Sequence, residues 1–377
     1  MLSTLRNAWK VPELKKRMLF TLLIVVIFRL GIFIPVPGVD TSKLVNLTNN
    51  SGSLFGFYDM ISGGAFSKFS IFALGVTPYI NASIIMQLLT IAIPYLEQLS
   101  KEGQEGRKKI QNYTKYAAYA FALIQAYAMY ALIANSGAVA LAGKSGLFLI
   151  LLTMTTGSAL LVWIGEQISV YGLGNGVSVI IFVNIISSLP TTVYQIMGLV
   201  SSKRVTPVEV IIFIAAALAL LITVIVINLA ERRIPVQYAG KAVGRKVVKG
   251  QSTHIPISLN SSGVMAIIFA MSVMSFPETI AQIWPNSSFA KFVQGSPWSI
   301  FQRSSYKYSI AYFVLILFFA WFYTLITFKP DEMAENMNKS SGFIPGIRPG
   351  EKTAVYLEKI LTRIAILGGT FAAIIAV

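Results

Sequence analysis

Few side chains in this 377-residue chain could make or break bonds. There is no cysteine, which removes thiol nucleophiles, disulfides and thiolate metal sites together. The one histidine, His254, cannot build a multi-histidine metal centre, and no nucleophile–base pair is legible. Gly143, Lys144 and Ser145 with Gly137 upstream imitate a phosphate loop, but five residues separate the glycines where the motif needs four. The carboxylates lie almost wholly in loops, and Glu166 alone stands close to long apolar runs on both sides. A proton-coupled transporter usually places a carboxylate or histidine inside the bilayer. Neither phosphate chemistry nor proton coupling is written here, so no enzyme activity and no cofactor is expected.

The apolar stretches carry neutral groups at helical spacing. Val76 and Ile80 are four residues apart and share one helix face. Val177 and Ile181 repeat the spacing just after the glycine-rich turn 172–176, and Ile268 lies in a later run beside Ala266 and Gly263. Taken alone, such pairs describe ordinary helix packing. Gln87 and Asn260, taken alone, describe hydrogen bonds between membrane helices.

The elements that must position these residues are membrane spans. Six uncharged runs (69–96, 116–143, 145–165, 167–202, 210–230 and 308–328) each exceed the roughly 18 residues that mark a transmembrane helix. Adding 18–39, which contains Arg29, and a run within 250–277 gives a polytopic, all-α chain. The spans are expected near 18–39, 69–95, 116–136, 147–166, 176–198, 209–229, 257–277, 308–328 and from about 360. Only 14 residues follow Arg363, about 21 Å of helix against a core of roughly 30 Å. The ninth span is therefore expected to be incomplete.

One segment does not read as a simple anchor. Residues 55–89 run from a half-polar aromatic stretch through Gly63-Gly64 and Lys68 into an uncharged run containing Pro78, Asn81, Ser83 and Gln87. Irregular backbone at membrane depth is tolerated only beside protein or water, so the segment argues for a lined or blocked pathway.

Thirty-one Lys and Arg against fifteen Asp and Glu leave a net charge of +16. Twenty-two of those cations fall in alternate loops (1–17, 95–116, 230–257 and 329–363), which puts the N-terminus in the cytoplasm. In 230–256, Val, Tyr and basic residues alternate around Gly240 and Gly244, the pattern of a β-hairpin. Loop 329–352 ends in a Pro/Gly-punctuated turn displaying Arg348. Long basic loops on one side suggest a docking surface.

Five blocks, in order, resemble the bacterial SecY family of protein-translocation channel subunits. They are ISGGAFSKFSIFALGVTPYINASIIMQLL, KEGQEGRKKIQNYTKY, WIGEQISVYGLGNGVSVIIF, GRKVVKGQSTHIPISLN and SGFIPGIRPGEKTAVYLEKILTR. The resemblance implies a channel of two inverted helical halves, 1–200 and 201–377, in which ten spans are usual and nine or fewer are present here. It implies a plug around Phe55, Phe57, Met60, Ile61, Gly63, Gly64 and Phe66. It implies a pore ring at Val76, Ile80, Val177, Ile181 and Ile268, and a lateral gate at Gln87 and Asn260. Docking of cytoplasmic partners would fall to Arg245, Lys246 and Arg348. The implied partners are the small subunits SecE and SecG, the SecA motor ATPase, the ribosome, and a preprotein or signal peptide, all at the lipid bilayer of the bacterial cytoplasmic membrane. A secondary transporter of a small solute is the alternative.

Overall fold

The computed structural model describes residues 9–40, 59, 62–135, 139, 143–202, 205–238, 242–243, 246–247, 252–284, 287–295, 299–301 and 305–377. Phe55, Phe57, Met60, Ile61 and Arg245 lie outside these residues. Two compact units result: Met1–Ser202 with Glu278–Pro297, and Lys203–Pro277 with Trp298–Val377.

In the first unit, α1 (Pro12–Gly31) starts on a proline at its first turn, where the missing N–H costs nothing. It ends eight residues before the expected limit of 39. Pro35 and Pro37 cannot continue a helix, and the chain turns extended instead. Val36 N–H donates to the Phe69 carbonyl at 2.9 Å, and Ile71 N–H to the Ile34 carbonyl at 3.0 Å. The second span begins correspondingly late. Residues 65–76 are turns, and α2 (Thr77–Ala92) carries Pro78 harmlessly in its first turn. The break lies at the other end, where α2 and α3 (Pro94–Lys101) meet at a 99° bend. Ile93 is extended there, as the residue before a proline prefers.

Helices α4 (Gln104–Asn135) and α5 (Lys144–Tyr171) follow, then α6 (Gly176–Ser187) and α7 (Leu189–Ser201). Asn175 caps α6, its side-chain oxygen accepting from Ser178 N–H at 3.1 Å. The fifth expected span thus carries a one-residue turn at Ser188, two residues before Pro190, and α6 and α7 together make one candidate span, Gly176–Ser201.

The second unit opens with α8 (Pro207–Leu229), started by Pro207 and by the Glu209 carboxylate accepting from Thr206 N–H at 2.9 Å. The expected hairpin is present. Strand β1 (Glu231–Tyr238) pairs antiparallel with β4 (Ser252–Ser258), from Glu231 opposite Ser258 to Gln237 opposite Ser252. Strands β2 (Ala242–Val243) and β3 (Lys246–Val247) form a small ribbon beyond it. Because β4 runs to Ser258, the seventh span starts later than 257, as α9 (Met265–Ile283). The end of α9 and α10 (Ser288–Gly295) belong to the first unit, and the second resumes with α11 (Tyr306–Phe328) and α12 (Pro330–Lys339). Two-residue β5 (Gly342–Phe343) then pairs with Gln237 and Tyr238 of β1, so loops 230–256 and 329–352 share one sheet.

The last helix is α13 (Glu351–Ala376). It has 26 residues, about 39 Å at 1.5 Å per residue, long enough to cross. Its opening turns carry charge, which hid them from a search for uncharged runs. They also bury Leu357, Leu361 and Ile364 against Ile234, Val236 and Ile257 of the sheet. Among the described residues six helices are long and apolar enough to span a membrane, or seven if α2 and α3 count as one. Neither α1 nor α9 is among the six, since α1 carries charge at both ends and α9 is short.

Candidate channel constriction and plug

Val76, the residue immediately before α2, is 1% exposed. One helical turn on, Ile80 joins it in a single apolar cluster with Val177 and Ile181 of α6. Phe28 and Ile32 from the α1 end, and Leu161, Ile164 and Ile168 from α5, back this cluster. The structure therefore brings four of the five expected ring residues together. Ile80, Val177 and Ile181 stay partly exposed, whereas Val76 is wholly buried, so the exposed part of the constriction belongs to the other three. Ile268 lies in α9 of the second unit, partly exposed.

What holds the irregular entry to α2 is backbone chemistry. Ser158 of α5 aims its hydroxyl at the Gly75 carbonyl, 3.4 Å away, and Gly157 beside it lets α5 press on residues 65–76. A Cβ at Gly157 would fall on the Ile71 carbonyl oxygen. The cost of non-helical backbone in a membrane is met here by pairing with residues 34–36 and by contact with α5. At its outer side Lys68 sits over the Phe33 ring, 3.6 Å from the centroid.

The expected plug residues inside the described set are Gly63, Gly64 and Phe66. Both glycines take positive φ, +66° and +84°, and Phe66 is buried. Sequence reasoning missed the residue that organises this turn, Asp59. Its carboxylate accepts from Ser67 N–H at 2.7 Å and its carbonyl accepts from Gly64 N–H at 2.9 Å. The signal was available as an acidic residue a few positions before a Gly-Gly pair. Sequence reasoning also left Arg29 without a partner. Its guanidinium Nη1 donates to the Gly63 carbonyl at 3.0 Å.

The remaining expected residues each have local partners. Gln87 Nε2 reaches the Ser83 hydroxyl at 3.4 Å within α2, and Asn260 Nδ2 donates to Asn228 Oδ1 of α8 at 2.9 Å. Lys246 is placed through its backbone, opposite Val243 in the small ribbon. Arg348 is exposed, and its carbonyl accepts from the Thr353 hydroxyl at 2.9 Å at the start of α13. Glu166, the one carboxylate flanked by apolar runs, is neutralised by Lys115 of α4, whose Nζ lies 2.6 and 2.7 Å from its two oxygens. Among the described residues no group of three or more histidines and carboxylates could hold a metal ion.

Comparison with known proteins decides the family. The family model described as SecY matches residues 70–377. The chain belongs to the SecY family. A SecY relative from Mycobacterium bovis, named protein translocase subunit SecY, is 41% identical over 100% of this chain and 88% of its own length. One of the same name from Streptomyces scabiei is 40% identical over the same shares, 100% and 88%. Two solved structures share the SecY fold at low identity. "The structure of a protein conducting channel" aligns with a TM-score of 0.65 at 18% identity, over 96% of this chain and 85% of that one. "Sec61 in the Canine ribosome-channel complex from the endoplasmic reticulum" aligns with 0.60 at 17%, over 95% and 84%. A polytopic helical membrane protein with a SecY-type channel fold is therefore established for this SecY-family chain.

Proposed function

We propose that the chain is the channel subunit of a protein translocase in a bacterial cytoplasmic membrane, with its N-terminus in the cytoplasm. It passes unfolded preproteins across and releases hydrophobic segments sideways into the bilayer. The observation that carries this reading is the aliphatic cluster of Val76, Ile80, Val177 and Ile181 in a chain of this family. A constriction of aliphatic side chains excludes water and ions by dewetting, yet yields around a passing chain of any sequence. Charged liners would bind some substrates and repel others. Ile268 is a further ring member on this reading, and the residues 55–66 are the plug.

Gln87 and Asn260 act as gate residues. Gln87 bonds within α2 and Asn260 to Asn228 of α8, neutral hydrogen bonds that between membrane helices are worth about 0.6 kcal/mol each, weak enough for a hydrophobic signal segment to replace. The partners that supply energy and stability are the SecA ATPase or the ribosome on the cytoplasmic side, with SecE and SecG in the membrane. Arg245, Lys246 and Arg348 meet the cytoplasmic ones. The sheet joins both loops and rests on α13, and Arg348 follows its third strand β5, so that residue has a rigid mount. Burial of Leu357 and Leu361, both 0% exposed, couples that mount to a span.

Depleting the chain in its own cells tests the reading. Signal-bearing precursors should accumulate uncleaved while uptake of small solutes continues. Normal export with lost uptake of one solute would instead favour a transporter.

A further inference from the structure

An arginine at membrane depth needs a partner, because charge there is costly without one. Arg29 has one, the Gly63 carbonyl at 3.0 Å. The other wall of Gly63 is Asn184 of α6, which is 1% exposed. The carboxamide oxygen of Asn184 is buried and has no hydrogen-bond partner among the described residues. These groups meet at one point. A Cβ on Gly63 would lie 2.7 Å from Asn184 Oδ1 and 2.9 Å from Arg29 Nη1. A strong donor and an idle, buried acceptor thus both crowd the place where a side chain at 63 would start, and with φ at +66° glycine is the residue that fits there.

We propose that Arg29 and Asn184 are plug-positioning residues that exchange partners. With the plug seated, the guanidinium holds the Gly63 carbonyl. When Gly63 leaves, the guanidinium passes to Asn184 Oδ1, so the buried charge is paired in both states. The Asn184 acceptor therefore favours the open channel, and only while Arg29 supplies the donor. An idle acceptor at 1% exposure is costly in the closed state, and its relief on opening is what the pair contributes. The inference rests on the reading of residues 55–66 as a plug.

The two residues are therefore coupled, which a purely structural role would not give. Asn184→Leu keeps the volume but removes the acceptor. In the reconstituted complex it should lower the open probability with a signal peptide present about tenfold, and demand a stronger signal. Arg29→Met removes the donor from both states, so in its background Asn184→Leu should change the open probability by less than about twofold. Both variants should match the parent in membrane abundance. Deleting residues 55–66 is the control for the plug itself. Raised conductance on deletion, with an Asn184→Leu effect that depends on Arg29, supports the exchange. Raised conductance on deletion, with no Asn184→Leu effect or one independent of Arg29, overturns the exchange and leaves the plug standing. Unchanged conductance on deletion overturns both.

Discussion

Ile80, Val177 and Ile181 share one aliphatic cluster and remain partly exposed, while Val76 of the same cluster is sealed. On the proposed reading, a polar atom introduced among the first three would wet a constriction; one introduced at Val76 would be buried without a partner. Ile181→Asn should thus raise resting ion leak several-fold with little loss of folding. Val76→Asn should destabilise the protein by about 1–3 kcal/mol, the cost of an unsatisfied buried polar group. Single-channel recording separates these from thermal unfolding, and identical behaviour of the two variants would contradict the division of labour. Gly157 belongs at this scale too. Any side chain there meets the Ile71 carbonyl, so Gly157→Leu should lower the unfolding midpoint and disturb the entry to α2. An unchanged midpoint would show that α5 does not brace that backbone.

The elements were unevenly legible. Apolar runs located every long helix because lipid-facing and buried positions both demand apolar side chains, and α8 reads cleanly for that reason. Ends were less legible. Pro78 is a first-turn proline that leaves its helix straight, while the 99° bend lies at Pro94, just past the uncharged core of the helix. The turns at 65–76 are as apolar as a span, so hydropathy cannot tell them from helix. The sheet was half legible. The β1–β4 hairpin shows its alternation locally, but β5 contributes only two residues from about a hundred positions away, and no local pattern marks them. That third strand has a consequence. It ties the chain leading to Arg348 and α13 to the β1–β4 hairpin. Arg348→Glu should impair translocation by at least about tenfold while leaving membrane insertion intact, since the residue is exposed and only its carbonyl is used. Leu357→Ala, under the sheet, should do both kinds of harm, costing about 2–5 kcal/mol. Normal export by the Arg348 variant in a precursor-processing assay would remove its docking role.

At the scale of the whole molecule, the positive loops, the helical spans and the SecY-family match agree on a membrane channel subunit. The candidate site was legible as residue types, since dewetting needs only aliphatic side chains on one face. It was not legible as a constriction until α2 and α6 were brought together. The central claim is that an unfolded polypeptide passes between those helices. Site-specific photo-crosslinking to a preprotein arrested in transit tests it most directly, with probes at Ile80 and Ile181 and a control at Ile222, which is 59% exposed on α8. Strong adducts from Ile80 and Ile181, and none from Ile222, are the expected result. Adducts from Ile222 alone, or none from the two constriction positions while export proceeds, would contradict a passage at this place.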